Sequence, residues 1–397
     1  MKRRRPPLAA VLALLLAGCP GTDPTPEKPP STAEGAAGWA AGTSPGGATA
    51  DADALATVAE RLSGLDDAGG DPVWRRHAEG MDELWAQVER RHLAPMRAWS
   101  AATLAPLLPE PELALFYPFG GPDFLSAHVF FPAAPLYVLV GLQPPGRLPL
   151  PDELDGGRLE VELARLRGGF ASLVEAGYFQ QTDMDRDLAG ERPDGVGLDG
   201  VLPVLYVFLA RTGHRPVAVR HLALDHDGTL AAAGEATAAS AVAVDFVREG
   251  GGETRRILYL AQDLSDQGLV DERPETARYL AELGPWNAFM KAAVYLLHRE
   301  GFGALRELLL AEARSLLQDD SGLPYRDLAG GGWELSFFGR YGRTLPVYET
   351  YFQEDLKAVF AGGAAIRPLD FAIGYHGRIG EGCLLLANRR ANRRDAP

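Results

Sequence analysis

Cysteine is nearly absent from this sequence, and so are the short motifs that mark well-known active sites. The 397 residues include two cysteines, Cys19 and Cys383. The sequence has no Cys-x-x-Cys pair, His-Glu-x-x-His motif, phosphate-binding Gly/Lys loop or Gly-x-Ser-x-Gly elbow. It therefore gives no support to a zinc enzyme, a nucleotide-binding enzyme or a serine hydrolase, and it indicates no cofactor.

Net positive charge is also lacking. The chain has 39 lysines and arginines against 53 aspartates and glutamates, and its formal net charge is −14 at pH 7. Because the basic residues form no stripe, the chain lacks the electrostatic footprint of a nucleic-acid-binding protein. Anionic lipid headgroups would repel such an acidic domain as well. Only four of the basic residues are lysine, which, with the many alanines and glycines, is typical of a GC-rich genome.

The N-terminus carries a hydrophobic run that is too short to span a membrane. Leu8–Ala17 is uncharged but has ten residues, whereas a membrane-spanning helix needs about 20. Lys2–Arg5 precedes it as a basic segment, and small residues follow. This arrangement is typical of a cleavable secretory signal, so we predict a signal peptide over residues 1–18.

The end of this run, Leu16-Ala17-Gly18-Cys19, resembles the lipobox of bacterial lipoproteins. In that family the cysteine thiol is acylated with diacylglycerol, and cleavage makes the cysteine the new N-terminus. The resemblance implies that lipid on Cys19 holds the mature protein at a membrane, with several acyl chains because one binds only marginally. Pro20 stands where aspartate retains enteric lipoproteins in the inner membrane. The resemblance therefore implies the outer membrane, with the domain facing the periplasm or the cell surface.

The rest of the chain divides into a tether and a domain. Residues 19–52 are rich in Pro, Gly and Ala and have few large apolar side chains, which predicts a flexible tether. Residues 53–397 contain no convincing linker, so we predict a single domain in which two lobes can meet near residue 270. With Cys19 committed to lipid, no intramolecular disulfide can form. Cys383 begins an apolar run, which predicts a buried, structural thiol.

Apolar patterns predict an α+β fold with an antiparallel or mixed sheet and packed helices. Short apolar runs bounded by Pro or Gly predict buried strands, and helical spacing predicts the helices. Alternation over 217–224, a turn at 225–228 and further strands over 241–248 and 256–260 predict an antiparallel meander. Because strands and helices are grouped separately, we expect this class rather than a doubly wound parallel sheet. The predicted strands are 113–117, 136–140, 217–224, 241–248, 256–260, 333–338, 369–375 and 383–387, and the predicted helices are 157–176, 201–211, 274–283, 286–299, 302–317 and 346–360.

The segment Leu222-Ala-Leu-Asp225-His226-Asp227-Gly228-Thr229 resembles the first signature of haloacid-dehalogenase-type phosphatases. In that family the first aspartate is the nucleophile, the second is the acid/base, and both help to bind magnesium. The family also needs a helix after the motif, whereas an alanine-rich segment and another strand follow here. Asp and Gly between two strands are turn residues, so we predict a hairpin turn.

Gly120-Gly121-Pro122-Asp123, followed by His128, is a candidate site. Asp123 and His128 could form an acid/base pair, and the glycines would let a ligand approach closely. The alternative is that Pro122 begins a helix and Asp123 caps it.

The polar segment Leu317–Arg326 contains three more candidate catalytic residues, Asp319, Asp320 and Arg326. Two adjacent carboxylates could bind a hard cation. The alternative is that Gly322 ends a helix and the aspartates lie solvated in a loop. The second half also carries groups that stack on sugars or bind carboxylates, and these are equally usual on an ordinary surface. They are Arg340, Tyr341, Arg343, Tyr348, Tyr351 and Tyr375.

Two hypotheses about function follow. The first is an envelope lipoprotein that binds a partner protein or a glycan. The second is a hydrolase of unrecognised class, which would require Asp123, His128, Asp319, Asp320 and Arg326 to converge in a pocket. Phe116–Asp123 and Leu317–Arg326 resemble segments of uncharacterised secreted bacterial proteins, a resemblance that implies no activity.

Overall fold

The computed structural model describes residues 51–147, 159–176, 198, 200–233, 239–362 and 365–390, and of 172–176 it describes only the backbone. All of these residues belong to one compact unit. The predicted signal peptide, Cys19 and all but the last two residues of the predicted tether lie outside them. The division into two lobes stays a prediction.

Eleven strands form one mixed sheet in the order β10-β9-β11-β8-β7-β1-β2-β6-β5-β3-β4. The five strands at its centre, β6-β2-β1-β7-β8, run parallel, and antiparallel pairs join β5 and β3 at one edge and β11 and β9 at the other. The strands are β1 Leu115–Tyr117, β2 Leu136–Gly141, β3 His214–Leu224, β4 Leu230–Ala232, β5 Ala241–Arg248, β6 Arg255–Ala261, β7 Trp286–Met290, β8 Ala313–Gln318, β9 Trp333–Gly339, β10 Ile366–Arg367 and β11 Cys383–Arg389.

Helices cover both faces of the sheet. Two π-helical turns, Glu89–Leu93 and Ser100–Leu104, extend the long segment that begins at Pro72. Within the described residues no helix combines the length and the apolar character needed to cross a bilayer. The α-helices are α1 Ala52–Ser63, α2 Pro72–Val88, α3 Ala94–Trp99, α4 Phe124–Phe130, α5 Leu159–Ala176, α6 Leu202–Arg211, α7 Pro274–Glu282, α8 Gly303–Glu312, α9 Tyr325–Leu328 and α10 Glu354–Ala361.

The core lies in two layers, one on each side of the central strands. On one face Phe124 and Phe130 of α4 belong to the same buried cluster as Tyr117. On the other face Leu305 of α8 shares a buried cluster with Met290. Each fully buried side chain of this size contributes about 1.5–3 kcal/mol. Because parallel strands are buried on both faces, their sequences read as continuous apolar runs.

The order of the parallel strands reverses between β1 and β7. The chain runs from β1 to β2 and β6 on one side, then returns to place β7 and β8 on the other side. In open sheets of this kind, ligands bind outside the carboxyl ends of the strands at such a reversal. The loops after β1, β7 and β8 therefore form the edge where a site is expected.

The α+β prediction is confirmed, since the sheet is mixed and packed with helices. The antiparallel meander of β3, β5 and β6 is confirmed as well, and β4 adds a short strand on the outer side of β3. Four segments differ from their predicted structure. Residues 346–360, predicted as one helix, form a 3₁₀-helical segment over Pro346–Tyr351 and then α10. Residues 286–299, predicted as a helix, form β7 and a loop; residues 302–317, predicted as one helix, form α8 followed by most of β8. Residues 369–375, predicted as a strand, lie in a loop with one isolated bridge.

The hairpin prediction at Asp225 is confirmed. The turn joins β3 to the antiparallel strand β4, and Oδ1 of Asp225 accepts hydrogen bonds from the N–H groups of Asp227 and Thr229 at 3.1 and 2.8 Å. Among the described residues the motif is followed by β4, where the phosphatase family needs a helix.

Candidate functional site

Asp123 connects the loop after β1 to the helix α4. Its Oδ1 accepts a hydrogen bond from the N–H of Ser126 at 3.1 Å and so caps the helix. Its Oδ2 accepts a hydrogen bond from the Tyr117 hydroxyl at 3.1 Å and lies 2.8 Å from Nζ of Lys291. The predicted cap is therefore confirmed, and the same carboxylate also forms a buried ion pair.

Lys291 is the first residue after β7, and its side chain is 4% exposed. Nζ donates a hydrogen bond to Oγ of Ser126 at 2.9 Å and is ion-paired with Asp123. Removing an amine and a carboxylate from water is costly, and only good geometry with additional hydrogen bonds offsets that cost. Tyr117 and Ser126 provide those bonds on both sides of the pair.

The loop after Lys291 has a strained backbone. Ala292, Val294 and Tyr295 have φ values of 52°, 54° and 52°, a left-handed region that costs side-chain-bearing residues on the order of 1–3 kcal/mol each. Such strain persists only where surrounding contacts hold it, and it clusters at functional sites. Its position beside Lys291, at the strand-order reversal, supports a functional role for this edge.

Side chains from two other segments hold this loop by its backbone. The N–H groups of Ala292, Ala293 and Val294 donate to Oδ2 of Asp319, Oγ of Ser321 and the Tyr375 hydroxyl at 2.8, 2.7 and 2.9 Å. The Tyr375 hydroxyl also donates to the carbonyl of Ala292 at 2.7 Å. Three consecutive backbone donors are thus satisfied by side chains, which fixes the loop in its strained form.

Asp319 follows β8 and is fully enclosed. Its Oδ1 accepts hydrogen bonds from the N–H and hydroxyl of Ser321, and a Cβ at Gly374 would come within 2.1 Å of Oδ2. Burial raises the pKa of this carboxyl, although the hydrogen bonds from Ser321 and Ala292 and the charge of Lys291 act in the opposite direction. Gly374, with a φ of 64°, is the position that lets the last loop pass this close.

Asp320 points to a different set of partners. The Tyr295 hydroxyl donates a short hydrogen bond to its Oδ2, and Nε2 of His376 lies 4.0 Å from its Oδ1. Burial and the neighbouring charge of Asp319 raise the pKa of Asp320 to about 7. Burial lowers the pKa of the His376 imidazole. Near neutral pH, both protonation states of Asp320 are therefore populated.

Four tyrosines pack together where this edge meets the surface. The Tyr295 ring stacks on those of Tyr351 and Tyr375, with centroid distances of 5.5 and 6.3 Å. Tyr348 lies 5.1 Å from both Tyr295 and Tyr375. Tyr348, Tyr351 and Tyr375 are half-buried, so they form the rim of the site, whereas Tyr295 is buried beneath them.

A small, partly open cleft of about 20 Å³ lies over the ion pair. Asp123, Ser126 and Lys291 form its polar side, and the π-helical turn at Glu89–Leu93 contributes His92 and Leu93. Its apolar walls include Val88, Leu93, Met96, Leu125 and Ile373. A single water molecule needs roughly 10–15 Å³, so the cleft admits only a small group.

The five candidate catalytic residues do not form one site. Asp123, Asp319 and Asp320 lie at the carboxyl edge around Lys291 and Tyr295. The other two lie elsewhere, His128 near the start of β2 and Arg326 on the surface.

The environments of those two residues differ from that of the edge. Nδ1 of His128 is 3.0 Å from the Tyr137 hydroxyl, the ring stacks on Phe124, and burial lowers its pKa to about 3. Arg326 has a side chain that is 74% exposed, with Asp327 3.8 Å away. A pocket that combines all five groups is therefore not formed.

Several residues of the edge were not predicted as site residues, namely Lys291, Tyr295, Ser321 and, as a loop-holding group, Tyr375. The available signal was the scarcity of lysine, since Lys291 is one of four and stands next to an apolar run.

Cys383 is buried in β11, as predicted, and burial raises the pKa of its thiol. Among the described side chains, no three His, Cys, Asp or Glu are placed to hold a metal ion.

Comparison with known proteins gives no relative: no protein-family model, no curated protein and no solved structure matches this chain.

Proposed function

We propose that this protein is a lipid-anchored lipoprotein of the bacterial envelope whose α+β domain binds a small ligand at the carboxyl edge of β1, β7 and β8. The observation that carries the proposal is the buried pair of Lys291 and Asp123 beside a partly open cleft, at the point where the strand order reverses. Charged groups that face a cleft of apolar walls are suited to orient a ligand.

The lipid anchor part of the proposal depends on the sequence. The lipobox-like Leu16–Cys19 supports acylation of Cys19, and Pro20 supports delivery to the outer membrane. An anchored domain would meet its ligand at the membrane surface. We propose an envelope glycan or protein as a partner of the domain surface, because the half-buried rings of Tyr348 and Tyr375 can stack on sugars or side chains.

Ligand retention tests the binding proposal. The full chain in detergent would be incubated with a small-molecule extract of envelope material and desalted, and retained compounds would be identified by mass spectrometry. We expect a compound that wild type and Lys357→Met both retain and that Lys291→Met loses. Lys357 is the matched control because its amine is exposed on α10. Equal retention by Lys291→Met would contradict the proposed site.

A hydrolase is the second candidate, and Asp320 is the observation that favours it. A carboxyl group whose pKa is raised to about 7 is matched to general acid–base chemistry at neutral pH. A panel of chromogenic ester, phosphate and glycoside substrates would test this function. Turnover that Asp320→Asn reduces by about 100-fold or more would support it; a panel without turnover, or with turnover unchanged in the variant, would leave binding as the function.

A further inference from the structure

Lys291 is a cation whose side chain can become a nucleophile. An amine can lose its proton and act as a nucleophile, whereas a guanidinium cannot be deprotonated in proteins. Of the two lysines that the described residues include, Lys291 is 4% exposed and Lys357 is 50% exposed. Lys291 is therefore a buried amine that lines a cleft.

The neighbours of Lys291 form the arrangement that an activated nucleophile requires. Nζ lies 2.8 Å from Oδ2 of Asp123, a distance that permits direct proton transfer. Asp123 is itself oriented by the Tyr117 hydroxyl and by the N–H of Ser126. A nucleophile, a base within hydrogen-bond reach and a third group that orients the base are the signature of covalent catalysis by side chains.

The cleft restricts which electrophile could reach the amine. Its apolar walls and volume of about 20 Å³ admit a short chain of a few atoms. Asp123 lines the cleft beside the amine, and its carboxylate disfavours an anion such as a keto acid. An uncharged molecule with a small carbonyl group fits both conditions.

We propose that Lys291 binds a small uncharged aldehyde or ketone covalently, as a protonated imine, in the cleft of the proposed ligand site. This inference rests on the proposed function, because it takes the same cleft as the place where the ligand enters. It adds the chemical class of the ligand and the atom to which the ligand becomes attached.

The reaction balances within the groups present. The ammonium of Lys291 gives one proton to Asp123, and the lone pair of Nζ attacks the carbonyl carbon to form the C–N bond. The carbonyl oxygen takes up a proton as the nitrogen loses one, which gives a carbinolamine. The proton held by Asp123 then returns to the hydroxyl, the C–O bond breaks, and water leaves.

The product is a protonated imine beside an ionised Asp123, so the charges before and after the reaction are the same. The buried carboxylate keeps a cationic partner throughout the bound state. This matters because an uncompensated buried charge is strongly unfavourable.

Reductive trapping tests the proposal on the full chain in detergent. The protein would be incubated with propionaldehyde, with and without sodium cyanoborohydride, and the alkylated lysines would be located by peptide mapping. Exposure alone predicts that Lys357 reacts before Lys291. The proposal predicts the reverse, with Lys291 labelled at least about tenfold faster and only when reductant is present.

Two variants and one probe sharpen this test. Asp123→Asn keeps the amine and the capping group but removes the base, so labelling of Lys291 should slow by about 100-fold, while that of Lys357 stays unchanged. Pyruvate, an anionic carbonyl compound, should not label Lys291. Lys291→Met should change nothing at Lys357.

The outcomes separate this inference from the proposed function. Labelling of Lys357 without preferential labelling of Lys291 in the wild-type protein would overturn the imine, and this result requires no variant to fold. If the retention experiment still finds a compound that depends on Lys291, the site binds its ligand without a covalent bond. If neither experiment depends on Lys291, both proposals fail.

Discussion

At the scale of single residues, the Lys291–Asp123 pair sets a large electrostatic attraction against a large cost of desolvation. Both side chains are almost fully buried, and each makes further hydrogen bonds to Tyr117 or Ser126. A buried pair adds little to stability compared with apolar side chains of the same shape, but loss of one member leaves an uncompensated charge. A protein that keeps such a pair beside a cleft holds a reactive group in a defined position.

Replacement of the amine alone should therefore be costly. Lys291→Met leaves Asp123 buried without its cation, and we expect the free energy of unfolding to fall by about 3–5 kcal/mol in urea denaturation. The double variant Lys291→Met/Asp123→Asn should recover at least half of that loss, since asparagine caps α4 equally well and carries no charge. Lys357→Met, the exposed control, should change stability by no more than about 0.5 kcal/mol. A double variant that is less stable than the single variant would contradict this account.

The raised pKa of Asp320 makes its contribution to stability depend on pH. Because its folded pKa of about 7 exceeds the unfolded value of about 3.9, the folded state binds more protons between these values. The contribution of Asp320 to the free energy of unfolding is therefore present at low pH and is lost as pH rises through 7. Asp320→Asn does not titrate, so the variant should gain stability relative to wild type as pH rises from 5 to 8.

The difference between the two proteins is the quantity to measure, by urea denaturation at several pH values. His77, His128 and His214 have pKa values lowered by burial and oppose Asp320 in this pH range. These three histidines are common to both proteins, so their effects cancel in the difference, whereas Asp319 and His376, which adjoin Asp320, contribute to it. A difference in stability that stays constant with pH would show that Asp320 has an ordinary pKa.

At the scale of elements, the loop after β7 stores strain that its hydrogen-bond partners hold in place. Ala292 has a φ of 52°, whereas the adjacent Ala293 is not among the residues with positive φ. Glycine adopts positive φ without steric cost but loses more entropy on folding. These two alanines therefore form a matched pair for testing the strain.

Ala292→Gly and Ala293→Gly should act in opposite directions. We expect Ala292→Gly to be neutral or to stabilise by up to about 1 kcal/mol, because relief of strain offsets the entropy of glycine. Ala293→Gly has no strain to relieve and loses a buried methyl group, so it should destabilise by about 1 kcal/mol or more. Urea denaturation of both variants measures the effect, and equal losses would show that the loop is unstrained.

The elements that the sequence predicts correctly are those with a distinctive period or boundary. Alternation marks β3, and the turn at Asp225 marks the hairpin between β3 and β4. Trp286–Met290 has five consecutive buried residues, because β7 is covered on both faces. A strand of this kind has no alternation, and an apolar run cannot be distinguished from a buried helix by period alone.

Because β7 was predicted as a helix, Lys291 at its end was not recognised as a site residue. Asp123, Asp319 and Asp320 could be found because adjacent carboxylates and a Gly-Gly-Pro-Asp segment are conspicuous in sequence. Lys291 was placed inside the predicted helix 286–299, where a single lysine is unremarkable. Its role depends on the end of β7 and on the partner Asp123, and neither can be derived from local pattern.

At the scale of the whole molecule, a lipid on Cys19 would confine this acidic domain to a membrane surface that its own charge does not favour. Replacement of the thiol tests this directly. Cys19→Ser should lose labelling by radioactive palmitate, accumulate as an uncleaved precursor and leave the outer-membrane fraction. Cys383→Ser, which changes a thiol in the buried strand β11, is the control and should be labelled and processed as wild type. Unchanged labelling of Cys19→Ser would show that the lipid is attached elsewhere or not at all.

The topology of the sheet also determines how much of the chain must be available before the site can form. Ser126 and Lys291 are separated by 165 positions in the chain. Val294 and Tyr375, which are also hydrogen-bonded, are separated by 81 positions. The amine cannot reach its hydrogen-bond partner until β7 has been inserted beside β1, and the strained loop is not held until the segment near the C-terminus has arrived. Ala372 and Ile373 complete the wall of the cleft. In the exported protein that we propose, the ligand site could therefore form only after nearly the whole chain has been synthesised and transported.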